Sequence, residues 1–255
     1  MRNTWVMLRK ELSGYFSSPL AYVLLAGYVL IFGFFFALEM SDSVHVSMEA
    51  QLSGQSMPFN VNERVIRPVL ATMATLGIFI LPLITMRLFA EEKRNGTIEL
   101  LATSPVRDHE IILAKWLAAM GLYGSMLLVS GLNLIFLFRY SHPDWKPLLI
   151  AYLGLLLQAG SMLAVGTFIS SLTKNQIIAV FCTYAALLFL WISAAFSYFD
   201  TSTVANALAY LSLTSHYESF SKGVIETKDL LYYLSLIFLG LFFTSRSLDS
   251  LRWRS

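Results

Sequence analysis

The chain has one cysteine, Cys182, among its 255 residues. It can form neither an intrachain disulfide nor a cysteine-based metal cluster. Cys182 lies inside an apolar run and reads as a small buried hydrophobe. The four histidines, His45, His109, His142 and His216, include no pair at metal-ligand spacing and no HExxH motif. There is no GxxxxGK[ST] loop to cradle the phosphates of ATP, and no GxSxG elbow to present a nucleophilic serine. Charge is scarce too. Asp, Glu, Lys and Arg make up 13% of the residues, roughly half the share in soluble domains. Disulfide scaffolds, the common zinc sites, phosphate-loop ATPases and serine hydrolases of the elbow type are therefore excluded.

Apolar sequence takes the place of charge. It amounts to 56% of the chain and is gathered into six runs, residues 20–38, 69–86, 111–138, 148–172, 177–199 and 230–244. Crossing the hydrocarbon core takes roughly 20 residues of helix. The runs are continuous rather than alternating, which selects helices over a barrel. The third run is long enough to tilt, and the sixth needs flanking residues such as Asp229 and Arg246. The fold class is an all-α integral membrane protein, one domain over residues 1–255 with six spans. The first run follows Arg9 and Lys10, as a signal peptide would. It is too long for a signal core and no small-residue cleavage pattern follows it, so it reads as a retained span.

Lysine and arginine set the orientation. With the N-terminus inside, 12 of the 18 fall on the inner side, among them Arg9, Lys10, Lys93, Arg94 and Arg246. The expectation is a multi-pass protein of the cytoplasmic (inner) membrane with both termini cytoplasmic. Before the first span, Trp5, Leu8, Leu12 and Tyr15 recur at helical spacing, and Arg9, Lys10 and Ser13 fall largely on other faces. This reads as an amphipathic interfacial helix with Trp5 at headgroup depth, the other reading being an ordinary basic flank. Gly14 and Pro19 would turn the chain into the bilayer. On the outer side, the patch TSHYESFSKGVIETKD suggests short surface helices.

Within the spans, ionisable residues are confined to Lys115 and Arg139, near the ends of the third run, where both can snorkel. This argues against a charged ion path. The milder polar residues Thr72, Thr75, Asn133, Gln158, Ser161, Thr167 and Ser170 serve either as interhelical hydrogen bonders or as a lining for an amphiphilic substrate. Ala114, Ala118, Gly121 and Ser125 share one face of the third helix and permit close approach. Pro82 is either a hinge or a static kink.

The densest polar block interrupts the runs between residues 85 and 116, in TMRLFAEEKRNGTIELLATSPVRDHEIILAKW. The expectation is a helix continued past Arg87, a break at Asn95-Gly96, and a short second helix. That second helix would be capped by Thr97 and ended by Ser104-Pro105. Asp108 would cap the span that follows. Ile98, Leu100 and Leu101 form an apolar side, which suggests a partner surface.

This stretch resembles the type-two ABC transporter permeases. LRKEL..YFSSPLAYV, from Leu8, is similar to that family's N-terminal interfacial helix, and SSLTKNQIIAV to its turn between the fourth and fifth spans. The closest subgroup by resemblance comprises the gliding-motility permease and the permease linked to nitrous-oxide reductase maturation. The resemblance implies a cytoplasmic coupling helix between spans two and three that docks on an ATPase subunit through Glu91, Glu92, Arg94, Gly96, Thr97, Glu99, Leu100 and Leu101. It implies two ATPase subunits carrying ATP and Mg, a second permease, identical or related, and export of a substrate. No cofactor is expected on this chain, and no nucleic acid as partner. A membrane scaffold for an ATPase and an ATP-independent transporter or channel are the alternatives.

Overall fold

The computed structural model describes residues 2–53, 60–98, 106–141, 143–196 and 202–252. Every described element is helical, and among the described residues there is no strand. In hydrocarbon no water is available to the backbone, so each segment must satisfy its own N–H and C=O groups, and a helix does so locally. We number the helices α1 (Arg2–Ser17), α2 (Pro19–Leu52), α3 (Arg67–Thr85), α4 (Ala90–Asn95), α5 (Asp108–Tyr140), α6 (Trp145–Leu172), α7 (Gln176–Ile192), α8 (Thr203–Tyr210), α9 (Leu213–Ser221) and α10 (Thr227–Arg252). Six of them, α2, α3, α5, α6, α7 and α10, lie in helical segments long and apolar enough to cross a membrane. They correspond in order to the six apolar runs.

The chain turns at Ser18, whose extended backbone separates α1 from α2 and whose hydroxyl accepts from the Leu20 amide. Pro19 then occupies the first helical position, where its missing N–H costs nothing. Several helices outlast their runs. At 34 residues α2 is roughly 50 Å long, well beyond the ~30 Å hydrocarbon core. Residues 39–52 contain no glycine or proline, so nothing stops the helix where the apolar run ends.

The core centres on α6, which packs against α3, α5, α7, α9 and α10. Two glycines permit this. A Cβ on Gly166 would stand 2.4 Å from Thr85 Oγ1, and one on Gly240 would stand 2.8 Å from the Ala164 carbonyl carbon. Both positions need the bare backbone so that α3 and α10 can close on α6. The interior polar residues divide unequally. Gln158 Nε2 donates across to the Ala74 carbonyl at 3.2 Å, and Ser170 also bonds across helices. Thr75, Asn133, Ser161 and Thr167 instead donate to carbonyls three or four residues back on their own helices. Apart from Gln158, then, the expected interhelical role falls to Ser170 alone among these six.

Two expectations are corrected. Cys182 is exposed on α7 rather than buried, because its helix presents that side away from α6. The outer patch does form helices, but α9 is not a surface helix, since Leu213, His216, Tyr217 and Phe220 are all buried. His216 is clamped there, with Nδ1 2.7 Å from Asp229 Oδ1 and Nε2 2.8 Å from the Tyr210 carbonyl. Its ring stacks on Tyr232. Apolar residues on the inner side of a short helix, plus one buried polar pair, seat α9 against α6 and the start of α10.

Candidate functional site

The polar block after α3 is where the structure concentrates charge on the bundle. The second span does not continue as one helix past Arg87. Pro82 sits near the end of α3, Thr85 Oγ1 and the Met86 amide both donate to the Pro82 carbonyl, and the Leu88 amide donates back to Thr85. A turn occupies residues 86–89 and a separate six-residue helix, α4, begins at Ala90. The proline therefore lies four residues before the turn that separates α3 from α4.

A serine from another span starts α4. Ser170 Oγ accepts from the amides of Phe89 at 3.2 Å and Ala90 at 3.1 Å. In effect it acts as an N-cap supplied in trans by the end of α6, satisfying two amides that a helix start leaves unpaired. Lys93 Nζ donates to the Ser171 carbonyl, to which Ser247 Oγ of α10 also donates. At its far end α4 closes on Gly96, whose φ of +72° is left-handed and suits glycine. Thr97 donates through both its amide and its hydroxyl to the Glu92 carbonyl, at 3.1 and 3.3 Å. The described bonds of Thr97 thus point backward to seal α4, rather than forward as an N-cap.

Beneath α4 lies an ion-pair node. Lys115 of α5 is 3% exposed, and its Nζ stands 2.7 Å from Glu92 Oε1 of α4 and 3.0 Å from Glu11 Oε1 of α1. The Phe89 ring lies 5.5 Å from the same ammonium. Lys115 therefore does not snorkel to water as its place in the run implies. Two carboxylates from other elements reach it, and a buried charge is tolerable only when paired in this way. Glu92 sits beyond the apolar stretch, and its burial raises its carboxyl above the usual range while the Lys115 ammonium opposes the shift. Nothing in the sequence signals the role of Glu11. Only its i, i+4 spacing from Tyr15 hints that it shares the inward stripe of α1.

The stripe on α1 consists of Thr4, Met7, Leu8, Glu11, Leu12 and Tyr15, each partly covered. It faces α5, where Leu12 meets Gly121 on the small-residue face. Trp5 departs from this stripe. It is 68% exposed, and Val6, Arg9, Lys10 and Phe16 are exposed as well. Of the other expected site residues, Glu91 is half-buried and 4.0 Å from Arg87 Nε, and Arg94 is exposed. Ile98 is half-buried and packs on the protein's own core, so it is not a free apolar side. Glu99, Leu100 and Leu101 lie outside the described residues, as does the expected second helix up to Pro105. Asp108 falls inside the first turn of α5 instead of capping it. The Glu110 carboxylate accepts from the Arg107 amide at 3.3 Å, which is the reach-back half of a capping box. Among the pathway candidates, Gln158, Ser161 and Thr167 are buried on α6 and Asn133 is half-buried on α5.

Six membrane-length helices, with a charged block following the second, point to a multi-pass membrane protein. The sequence profile of the ABC-2 family transporter proteins matches residues 5–244, nearly the whole chain. The chain belongs to that family. It is a permease component of an ABC transporter, a membrane transport subunit rather than a catalytic one, and the family implies an ABC ATPase partner in general. No curated protein matches the chain significantly.

Proposed function

We propose that this chain is the permease half of an exporter in the cytoplasmic membrane, with both termini inside. In this reading two ATPase subunits bind ATP and Mg beneath it. A second permease, identical or related, stands beside it, and the chain belongs with the gliding-motility and nitrous-oxide-reductase-maturation permeases. The loop from Glu91 to Leu101 is the docking element. Glu92, Gly96 and Thr97 hold its shape, while Glu91, Arg94, Glu99, Leu100 and Leu101 meet the ATPase.

The observation that carries this reading is the anchoring of α4. Ser170 and Ser171 of α6 and Lys115 of α5 grip it, and Lys115 also holds α1. An element fastened to two other helices, one of which also holds α1, moves them when it is moved. A surface loop with no such bonds would absorb the push. Closure of the ATPase pair would tilt α4, and α1, α5 and α6 would follow, giving the spans two states with different contacts. Glu92 and Thr97 are thus internal braces, and Glu91, Arg94, Glu99, Leu100 and Leu101 make the contact.

Reconstitution tests this. The purified permease alone should hydrolyse no ATP, and hydrolysis should appear with the separate ATPase. Leu101→Asp should weaken the complex about 5- to 150-fold, the range for exposing one buried apolar side chain. Unchanged affinity in that variant would remove the loop as the docking element.

A further inference from the structure

A cleft of about 370 Å³ opens beside the ion-pair node, between α1, the start of α2 and the 87–92 segment. Its lining is chemically mixed. Glu11, Glu91 and Glu92 supply three carboxylates, Arg87 and Lys115 supply two cations, and Tyr15, Leu20, Ala21 and Leu88 supply apolar wall. Five of these nine residues come from places where an apolar run begins or ends, and the other four lie within nine residues of one. Leu20 and Ala21 open the first run, Arg87 and Leu88 follow the second, and Lys115 lies near the start of the third. The cleft therefore sits at the depth where lipid headgroups lie, with its apolar wall leading toward the hydrocarbon.

Its polar groups are incompletely satisfied. Glu92 Oε1 is taken by Lys115, but Glu92 Oε2 is buried and makes no hydrogen bond. Arg87 Nε is likewise buried without a hydrogen bond, its approach to Glu91 being a 4.0 Å ion contact only. The Lys115 ammonium already serves two carboxylates. A buried carboxylate oxygen needs a donor and a buried guanidinium N–H needs an acceptor. The fitting ligand carries an N–H-bearing cation and an anion a few bonds apart, with an apolar tail.

We propose that this cleft binds the phosphoethanolamine headgroup of a membrane lipid. The ammonium sits against Glu92 Oε2 and the neighbouring Glu11, the phosphate against Arg87, and the acyl chains along Leu20, Ala21 and Leu88. Choline fits poorly because its nitrogen has no hydrogen to donate. A glycerol or serine headgroup fits poorly because three carboxylates line the site. The same headgroup chemistry could also arrive as free O-phosphoethanolamine. The apolar wall favours the lipid.

The test uses the full-length permease, purified in mild detergent and analysed by native mass spectrometry with four lipids of matched chains. These are phosphatidylethanolamine, its N-methyl and N,N-dimethyl derivatives, and phosphatidylcholine. Retention of one lipid per chain should fall stepwise as N–H donors are removed, by about tenfold from first to last, the scale of a hydrogen bond to a charged group. This arm needs no mutant. Glu92→Gln should abolish the discrimination among the four lipids, whereas Arg87→Gln should weaken all four alike and leave the ratio intact. Displacement of the lipid by millimolar O-phosphoethanolamine would assign the site to the soluble ligand. No displacement, with stepwise retention, assigns it to the lipid. Equal retention of the ethanolamine and choline lipids by the wild type, or an unchanged ratio in Glu92→Gln, overturns the proposal.

Discussion

Lys115→Met removes the one positive charge that α1, α4 and α5 share. Methionine keeps the length and much of the volume of the lysine stem, so packing against Phe89 and the neighbouring helices survives. The charge balance does not. Glu11 and Glu92 are left facing each other, with side chains 25% and 22% exposed. Breaking a fully buried pair by removing one partner costs about 3–5 kcal/mol. Partial access to water for both carboxylates places this case near the lower end, at about 2–3 kcal/mol. The loss is local, because α1 is held to the bundle chiefly by this node and by its apolar stripe on α5. Hydrogen exchange of the reconstituted protein reads it directly. Amides of α1 and α4 should exchange roughly 30- to 150-fold faster than in wild type, and those at the centre of α6 should be little changed. The triple variant Glu11→Gln, Lys115→Met, Glu92→Gln should regain much of the protection, because it leaves no unpaired charge. If Lys115→Met leaves α1 and α4 protection within twofold of wild type, the node does not hold these helices together and the proposed mechanical link through it is wrong.

Ser170→Ala should strand the Phe89 and Ala90 amides and destabilise α4 by about 1–3 kcal/mol, visible as faster exchange of residues 89–95 with α1 unaffected. Gly96→Ala should cost about 1 kcal/mol through its left-handed backbone, and Gly96→Pro more, since it also deletes the amide bonded to Glu92. Loss of ATPase pull-down from correctly inserted Gly96→Pro is the expected readout. His216→Phe should leave Asp229 buried beside an apolar ring and lower the thermal midpoint through a cost of about 3–5 kcal/mol. Recovery in a His216→Phe, Asp229→Asn double variant would show that the stranded charge was the cause. Asn95-Gly96-Thr97 is a glycosylation sequon. In a glycosylating membrane system it should stay unmodified if the loop is cytoplasmic, and modification would reverse the topology.

The sequence by itself determined the helical class, the number and order of the spans, and the position of the polar interruption. Each is a local consequence of how many consecutive residues tolerate hydrocarbon, and that is written residue by residue. The turn at Gly96 was legible for the same reason, since a left-handed backbone selects its residue locally. Tertiary structure alone decided the partners. Lys115 in isolation is a lysine near a span end, free to snorkel. It stays inside only because Glu11, 104 residues earlier, and Glu92 converge on it. Ser170 looks like any small polar residue in a span until the turn at residues 86–89 brings two free amides to its hydroxyl. His216 resembles a surface residue in a polar patch until α9 folds inward and Asp229 meets it. These interactions join residues from 13 to 104 positions apart, and no periodicity encodes such pairings. They arise because closing α6 against its neighbours leaves a few polar groups without water, and each must then find its partner inside the bundle.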